Sequence, residues 1–268
     1  MCDLDEGRWR TIALAVDGDH HVATLTLSRP ETLNAISREL ATELHAVCES
    51  LAARSDIWAV IVTGSGDRAF CAGADLKERR MLSADERAAH TVAIEAAAES
   101  LAALPMPTIA AIRGFALAGG AELAIACDLR VAAQDATLGF PEVRIGIFPG
   151  AGGALRLPRI VGNGHARDLL YTGRRVPAEE ALRIGLIDRL VAPQSVLETA
   201  AELAESITAN APLAVRAVKR ALEESHARPL PHARIAVSAL RASLDETDDY
   251  EEGLAAFAEK RAPRFSGR

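Results

Sequence analysis

Two glutamates stand in sequence surroundings that could make them chemically active. The stretch GFALAGGAELAIACD, residues 114–128, is apolar and small as far as Cys127, apart from Glu122. Glu142 follows in the segment LGFPEVRIG. A carboxylate in apolar surroundings is costly to keep charged and is seldom left there without a partner. Two such groups close together could manage a proton and a water molecule as general acid and general base.

Two loops of small residues could supply the electrophilic half of such a site. Gly119 and Gly120 allow another group to approach the backbone, and a helix beginning near Gly119 leaves N–H donors unpaired. The segment CAGAD, residues 71–75, follows a predicted buried strand. Two loops of this kind at strand ends can direct two N–H groups at one oxygen, which is an oxyanion hole. Spacing along the chain does not establish that they meet in space.

Each glutamate also has a purely structural interpretation. Glu122, in the first turn of its helix, could cap that helix, and the positive helix end would stabilise its charge. Pro141 could be the first residue of a short helix and Glu142 the second, again a first-turn acid. The residues alone leave the structural and the catalytic interpretations open.

The elements that must position these groups alternate between strand and helix. This order favours an α/β core with buried, largely parallel strands. Ser83 and Glu86 form a capping-box signature that starts one of the helices. The predicted strands are 22–28, 58–64, 108–112 and 129–133, and the predicted helices span about 37–54 and 84–104.

From Pro177 onward the pattern becomes helical. A single short apolar segment, LIDRLV, interrupts it. The predicted helices lie near 177–184, 194–209, 212–225, 231–245 and 248–260.

Composition and motifs exclude several function classes. With a net charge of −7 and 4% aromatic residues, neither nucleic acid nor an anionic membrane is an expected partner. No uncharged apolar run reaches the roughly 18 residues of a membrane span. The seven histidines show no metal-ligand spacing, so no metal site is expected. GAGGALR (150–156) and GNGHAR (162–167) do not complete a dinucleotide-binding motif, and neither a P-loop nor a GxSxG motif occurs.

The four cysteines form no CxxC pair, and the acidic N-terminus is not a secretory signal. We therefore expect reduced thiols and a cytoplasmic protein. The cysteines are residues 2, 48, 71 and 127.

Several ordered motifs together resemble the enoyl-CoA hydratase/isomerase (crotonase) family. The early element RPETLNAIS, residues 29–37, matches the family's RP-x-x-x-NA pattern, and the resemblance extends over about residues 10–265. The longer motifs are AFCAGADLKER, PTIAAIRGFALAGGAELAIACDLRVAA, FPEVRIGIFPGAGGALRLPRIVG and GLAAFAEKRAPRF.

The resemblance implies an α/β fold of the ClpP/crotonase type. Residues 1–195 would form a spiral of repeated ββα units that holds the active site. Residues 196–268 would form a helical region that builds homotrimers, often paired into hexamers. No separate cofactor is implied, because coenzyme A is part of the acyl-CoA substrate.

The resemblance also assigns site residues by motif position. The N–H groups of Ala74 and Gly119 would form the oxyanion hole for the thioester carbonyl. Lys260 resembles a C-terminal lysine that meets CoA phosphates, although the residue alone is equally consistent with a solvated helix-face charge. The residues expected to bind CoA or the acyl group are Ala35, Ala72, Asp75, Leu76, Leu117, Gly120, Pro141 and Lys260.

The two acids decide the expected reaction. Hydratases of this family carry both glutamates, whereas many isomerases, dehalogenases and hydrolases keep one or neither. The implied reaction is therefore syn addition of water to a trans-2-enoyl-CoA, as in fatty-acid β-oxidation. Glu122 would be ionised and act as the base, and Glu142 would be neutral and act as the acid.

Three alternatives stay open. Motifs such as FCAGADLKERRMLSADE also resemble methylglutaconyl-CoA hydratases, which implies a branched acidic acyl group. An enoyl-CoA isomerase is the second alternative. The third is an RNA-binding protein, which is disfavoured because the matching helix, 37–56, has no lysine and more acids than arginines.

Two residues or motifs depart from the family pattern. Ala118 stands where many hydratases have a third glycine, and GGALRLPR lacks the frequent Thr-Gln before Arg-Leu. Both departures would reshape the acyl pocket.

Overall fold

The computed structural model describes residues 9–268, so Cys2 and the acidic N-terminal residues lie outside it. Ten strands occur in the described part of the chain. They are β1 (Ile12–Asp17), β2 (Val22–Leu27), β3 (Ala59–Gly64), β4 (Ala69–Cys71), β5 (Thr108–Ile112), β6 (Phe115–Leu117), β7 (Leu129–Ala133), β8 (Thr137–Gly139), β9 (Arg175–Pro177) and β10 (Arg189–Val191).

Ten α-helices accompany these strands within residues 9–268, and a 3-10 helix spans Pro141–Ile145. The helices are α1 (Arg38–Ala52), α2 (Leu76–Met81), α3 (Ala84–Ala102), α4 (Gly119–Ala126), α5 (Gly153–Thr172), α6 (Ala178–Arg183), α7 (Val196–Thr208), α8 (Pro212–Ala227), α9 (Leu230–Ala242) and α10 (Asp248–Glu259).

The strands form two sheets that are built by a repeated ββα unit. The larger sheet has the order β1-β2-β3-β5-β7-β10, and the smaller has the order β4-β6-β8-β9. Successive strand pairs therefore place one strand in each sheet before a helix follows. Only the β1–β2 and β8–β9 pairs are antiparallel; all other pairs among the described residues are parallel. This arrangement confirms the predicted α/β fold with largely parallel strands.

Hydrophobic patterning explains the central strands. β3 and β5 are buried along their whole length, as expected for parallel strands covered on both faces. β2 lies nearer the edge and alternates between buried and half-buried residues along most of its length. The continuous apolar sequences 58–64 and 108–112 therefore predicted these strands to within a residue at each end.

Side-chain caps fix where the early helices begin. The Ser37 hydroxyl accepts from Leu40 N at the start of α1. The predicted capping box is present in α3, where Ser83 and Glu86 each satisfy the other's backbone N–H. Such a cap contributes about 1 kcal/mol to helix stability.

The sequence analysis missed β1, α2 and α5, and it also missed the four short strands of the smaller sheet, which are β4, β6, β8 and β9. The long α5 was hidden because it contains Pro158 and is kinked at Gly162, whose φ and ψ of 77° and 159° are not helical. Both residue types normally interrupt a helical pattern. The segments set aside as incomplete nucleotide-binding motifs, 150–156 and 162–167, belong to this helix and to the turn before it.

The C-terminal third is helical, as predicted, and LIDRLV contributes the short strand β10. Within α7, Val196, Ala200 and Ala204 belong to the main hydrophobic core. The core therefore extends past residue 195, and the domain boundary expected there stays a prediction. None of the helices in residues 9–268 has the length and apolar character that a transmembrane segment needs.

An ion pair between buried Lys219 and partly exposed Asp128 attaches α8 to the core. The Lys219 ammonium donates to Met106 O at 3.1 Å and to Asp128 Oδ2 at 2.7 Å. The same Asp128 oxygen accepts from Thr108 N at 2.7 Å. These bonds hold the C-terminal helices against the ends of β5 and β7.

Candidate active site

A cavity of about 170 Å³ lies between α2, α3, α4 and the segment 141–151. Both glutamates singled out in the sequence line it, together with the two residues expected to form an oxyanion hole. Eight of the twelve predicted site residues line this cavity: Ala72, Ala74, Leu76, Leu117, Gly119, Glu122, Pro141 and Glu142.

The first loop of small residues is held as a short parallel bridge. Ile36 N donates to Gly73 O at 2.8 Å, and Asp75 N donates to Ile36 O at 2.9 Å. In a parallel ladder the residue between two such bonds directs its own N–H to the opposite side. The Ala74 N–H therefore points away from residue 36.

The second loop brings Gly119 next to that N–H. Gly119 is the first residue of α4, and the N–H of a first helical residue has no intrahelical acceptor. A Cβ placed on Gly119 would lie only 3.8 Å from Ala74 N. Within residues 9–268, neither the Ala74 N–H nor the Gly119 N–H has a protein acceptor. Two unpaired donors thus lie side by side at the cavity wall, where they could bind one oxygen.

Ala118, which precedes α4, has a backbone conformation that favours glycine. Its φ and ψ are 50° and −127°. The strain of such a conformation costs on the order of 1–3 kcal/mol for a residue with a side chain. The Ala118 N–H donates to Gly139 O at 2.9 Å, which ties this turn to β8. The departure noted in the sequence therefore stores strain beside the Gly119 N–H.

Glu122 lies in the first turn of α4, as predicted, but it does not cap its own helix. Its residual exposure is 3%, and its Oε1 accepts from Gly153 N at 2.8 Å. Gly153 is the first residue of α5, so the carboxylate of a residue in α4 accepts a hydrogen bond from a free N–H at the start of α5. The capping interpretation is wrong because the side chain crosses to α5 rather than turning back to α4.

Glu142 is the second residue of the 3-10 helix that begins at Pro141, as the sequence indicated. Its residual exposure is 6%, and neither carboxylate oxygen has a hydrogen-bond partner among residues 9–268. A buried polar group without a partner is costly and is often found at functional sites.

Burial raises the pKa of both glutamates to about 7. For Glu122, the Gly153 N–H partly offsets this effect, and the negative charge of Glu142 adds to it. Burial therefore raises the pKa of Glu122 more than its hydrogen bonds lower it, and the ionised state expected for Glu122 stays a prediction. Two interacting carboxyls with similar pKa values share one proton readily near neutral pH.

Asp75 does not line the cavity; its side chain caps α2 and pairs with Arg29. Its carboxylate accepts from Lys77 N at 3.1 Å and Glu78 N at 3.2 Å, which caps α2. Arg29 pairs with the same side chain at 3.0 Å and also donates to Ala35 O. Burial raises the pKa of Asp75, but the Glu78 N–H and the Arg29 guanidinium outweigh it, so the pKa is lowered.

Three other predicted substrate residues do not line the cavity either. Gly120 packs against β4, where a Cβ would lie 2.0 Å from Cys71 O. Ala35 is buried beside Arg29, and Lys260 is exposed at the end of α10. For these residues and for Asp75, contact with CoA stays a prediction.

Sequence reasoning missed several cavity residues. Arg79 and Phe148 lie inside the motifs that carried the family resemblance, but only the fold shows that they line the cavity. Gly153 could have been noticed from the GAGG turn, since a glycine-rich turn before a helix presents free N–H donors. Among residues 9–268, no cluster of three or more His, Cys, Asp or Glu side chains could hold a metal ion.

The three cysteines of the described region do not supply a reactive thiol. Cys48, Cys71 and Cys127 are free and buried, and burial raises the pKa of each to about 12. A thiol with such a high pKa is a poor nucleophile, so none of these residues competes with the two glutamates as the reactive group.

The whole chain is similar to several known proteins. The short-chain-enoyl-CoA hydratase of Clostridium acetobutylicum is 39% identical over 240 residues, which cover 90% of this chain and 92% of that protein. An enoyl-CoA isomerase/hydratase of Mycosarcoma maydis is 41% identical over 252 residues, covering 91% and 92%. The crystal structure of an enoyl-CoA hydratase from Bacillus anthracis matches with a TM-score of 0.94 at 39% identity, covering 97% of this chain and 100% of that one. Residues 17–268 match the enoyl-CoA hydratase/isomerase family as a whole. The chain therefore belongs to the enoyl-CoA hydratase/isomerase family.

Proposed function

We propose that this protein is an enoyl-CoA hydratase, which adds water across the 2,3 double bond of a trans-2-enoyl-CoA to give a 3-hydroxyacyl-CoA. One observation carries the proposal. Two buried carboxyls, each with a pKa raised to about 7, line the same cavity as two unpaired backbone N–H groups. Hydration needs these parts together: an electrophile-activating pair of donors, a base for water and an acid for carbon.

The thioester carbonyl oxygen binds between the N–H groups of Ala74 and Gly119 in this mechanism. Negative charge develops on that oxygen when water attacks C3 and the π electrons move toward the carbonyl. Each N–H donor contributes about 3 kcal/mol to stabilising that charge. The positive end of α4, which starts at Gly119, adds to the effect.

The different partners of the two glutamates support a division of roles. The Gly153 N–H stabilises the ionised form of Glu122, so Glu122 takes the proton from the attacking water. Glu142 has no such donor, so it holds the shared proton and delivers it to C2. The hydroxyl joins C3, the former π pair forms the new C2–H bond, and the proton on Glu122 then restores the starting state of the pair.

A short acyl group is part of the proposal. It is supported by the similarity to a short-chain-enoyl-CoA hydratase. A place in the β-oxidation of fatty acids is part of the proposal.

Incubation of the purified protein with crotonyl-CoA in ¹⁸O-labelled water tests the function. We expect 3-hydroxybutyryl-CoA that carries ¹⁸O on C3. A parallel incubation with a 3-enoyl-CoA is the comparison: its conversion to the 2-enoyl-CoA, with no hydration of crotonyl-CoA, would identify an isomerase and reject the proposal.

We also infer that the protein self-associates as a trimer or hexamer. The C-terminal helices expose large apolar side chains, among them Val218, Ile235 and Phe257, which are 60%, 73% and 86% exposed. Exposed apolar surface of this kind is typical of an interface. Light scattering coupled to gel filtration is expected to give three or six times the mass of one chain, and a monomer would contradict this inference.

A further inference from the structure

Arg156 lies in the first turn of α5, outside the cavity but next to the segment that contacts Glu122. Its Nη1 donates back to Ala151 O at 3.1 Å, and its Nη2 pairs with Glu99 Oε1 on α3 at 2.7 Å. The side chain is 18% exposed. The guanidinium therefore joins α3 to the turn 150–153 that precedes and begins α5.

Gly152 makes room for this guanidinium. Its φ is +104°, a conformation that residues with a side chain rarely adopt. A Cβ at Gly152 would lie 1.8 Å from Nη1 of Arg156 and 2.9 Å from its Cζ, so a larger residue would displace the group. The glycine-rich turn and the arginine four residues later thus depend on each other.

The same turn supplies the donors that reach Glu122. Gly153 N donates to Glu122 Oε1 at 2.8 Å, and a Cβ on Gly153 would lie 2.9 Å from that oxygen. Burial raises the pKa of Glu122, and the N–H groups of Gly153 and Ala151 oppose that rise. The positive charge of Arg156 opposes it as well.

Acidic groups also lie near this region on the neighbouring elements. Glu142, on the 3-10 helix, adds to the rise in the pKa of Glu122 that burial causes. Glu99, on α3, is engaged by Arg156. The strands β4 and β6, which also pack against α4, contain no charged residue.

Two other arginines near the site have different partners. Arg130, on β7, pairs with Asp188 at 3.0 Å. Arg79, on α2, lines the cavity and donates to a threonine hydroxyl of α3 at 2.9 Å. Arg156 differs from both because it is bonded to the turn that contacts Glu122.

We propose that Arg156 is a positioning residue for the two glutamates, because it holds the turn that directs the Gly153 N–H at Glu122. The inference rests on the hydratase function proposed above. Arg156 acts through Glu122 and not on the substrate, since it lies outside the cavity. By stabilising the ionised form of Glu122, it keeps the shared proton on Glu142, where the mechanism needs it for C2.

The pH profile of kcat for crotonyl-CoA hydration tests this inference. In Arg156→Met, kcat at neutral pH is expected to fall by about ten- to a hundredfold, while KM changes little. The acidic limb of the profile is expected to move to higher pH. Loss of the cation and of the fixed N–H raises the pKa of Glu122, which lowers the ionised fraction of the base at a given pH. Arg156→Lys keeps the charge but not the planar fork, so its profile is expected to lie between the two.

Two further variants separate the charge of Arg156 from its anchor. Arg159 is exposed on α5 outside the cavity, so Arg159→Met is the control and is expected to keep the profile of the unchanged protein. Glu99→Gln keeps the cation but weakens its anchor, and is expected to lower kcat by less than Arg156→Met does. The double variant is expected to equal Arg156→Met alone, because the two residues act as a pair.

A carboxyl titration measures the same effect without turnover. In ¹³C NMR of protein labelled in its glutamates, the Glu122 resonance is assigned through Glu122→Gln. We expect a higher midpoint in Arg156→Met than in the unchanged protein or in Arg159→Met, and Arg156→Lys supplies the comparison if the methionine variant does not fold.

Equal midpoints, or a fall in kcat with an unmoved acidic limb, would overturn the inference, since a merely structural role of Arg156 predicts that result. Failure of the proposed function has a different signature. If the unchanged protein does not hydrate crotonyl-CoA, the hydratase proposal is rejected, whereas the NMR midpoints still decide whether Arg156 controls Glu122.

Discussion

The backbone N–H of Gly153 donates to Oε1 of Glu122 over 2.8 Å, which joins the N-terminus of α5 to the acid of α4. Glu142, the other carboxyl of the cavity, has no hydrogen-bond partner among the described residues. Both groups are buried and have pKa values of about 7, yet only Glu122 accepts a hydrogen bond from another part of the chain. This asymmetry is the physical reason for assigning the base role to Glu122 and the acid role to Glu142.

Glu142→Gln is expected to stabilise the protein at alkaline pH. Burial raises the folded-state pKa of Glu142 from 4.5 to about 7. Between these values the unfolded chain releases the proton while the folded chain keeps it, so the free energy of unfolding falls as pH rises through this window. The glutamine side chain does not ionise, so the variant avoids this fall in the free energy of unfolding. At pH 8 it is expected to be more stable than the unchanged protein by roughly 1–3 kcal/mol.

Urea denaturation at pH 5 and pH 8 measures the effect. The advantage of Glu142→Gln is expected to be small at pH 5 and large at pH 8. Glu31→Gln, at an exposed position, is the control and is expected to show no such change. An equal effect of Glu142→Gln at both pH values would show that burial does not govern the protonation of Glu142.

Gly73→Ala is expected to damage both stability and catalysis. Gly73 has a φ of +89°, and a Cβ there would lie 2.7 Å from Ala118 Cβ and 3.2 Å from Gly119 N. Strain and overpacking together cost about 2–4 kcal/mol, and the displaced Gly119 N–H lowers kcat. Thermal unfolding and crotonyl-CoA hydration measure the two effects.

Gly146→Ala separates backbone strain from crowding. Gly146 has a comparable φ of +71°, but nothing lies within 4 Å of its Cβ position. Its alanine variant is therefore expected to lose only about 1 kcal/mol. If Gly146→Ala is as harmful as Gly73→Ala, the close approach of Gly73 to the Ala118–Gly119 turn is not what matters.

Arg29→Met is expected to lower kcat more than it changes KM. Arg29 pairs with Asp75 at 3.0 Å and donates to Ala35 O, so it clamps the two chain segments that orient the Ala74 N–H. Breaking this mostly buried pair costs about 3 kcal/mol or more. Because the pKa of Asp75 is lowered in the folded protein, the stabilisation is present above the unfolded value of 3.8 and is lost as pH falls through the lowered one.

Arg10→Met is the matched control for the clamp. Arg10 forms a surface pair with Glu39 at 3.8 Å, and both side chains are well exposed. Loss of such a pair costs less than about 1 kcal/mol. Steady-state kinetics and urea denaturation of both variants test this prediction. If Arg29→Met and Arg10→Met have the same kcat and the same free energy of unfolding, Arg29 does not position the Ala74 N–H.

Local sequence signals predicted much of the fold. Continuous apolar runs specified β3 and β5, and the Ser83–Glu86 capping box specified the start of α3, because these features depend on neighbours a few residues away. The kinked α5 was missed because Pro158 and Gly162 break the helical pattern locally, while tertiary packing preserves the helix.

The site was harder to predict than the fold. The types of Glu122 and Glu142 suggested chemistry, but the Gly153 donor lies 31 residues from Glu122 along the chain. The pKa values of about 7 were not predictable for the same reason: they result from burial, which is a tertiary property, whereas the first-turn position is a local one. The positive φ of Ala118 was likewise not predictable, since alanine rarely adopts it.

The central claim is that two carboxyls share the proton chemistry of hydration. Crotonyl-CoA hydration by Glu122→Gln and by Glu142→Gln, with folding of each variant checked by circular dichroism, tests it most directly. We predict that each single variant loses about 10²–10⁴-fold in kcat, and that the double variant loses little more, because the two groups act as a unit. A kcat close to that of the unchanged protein in either single variant would contradict the two-carboxyl mechanism.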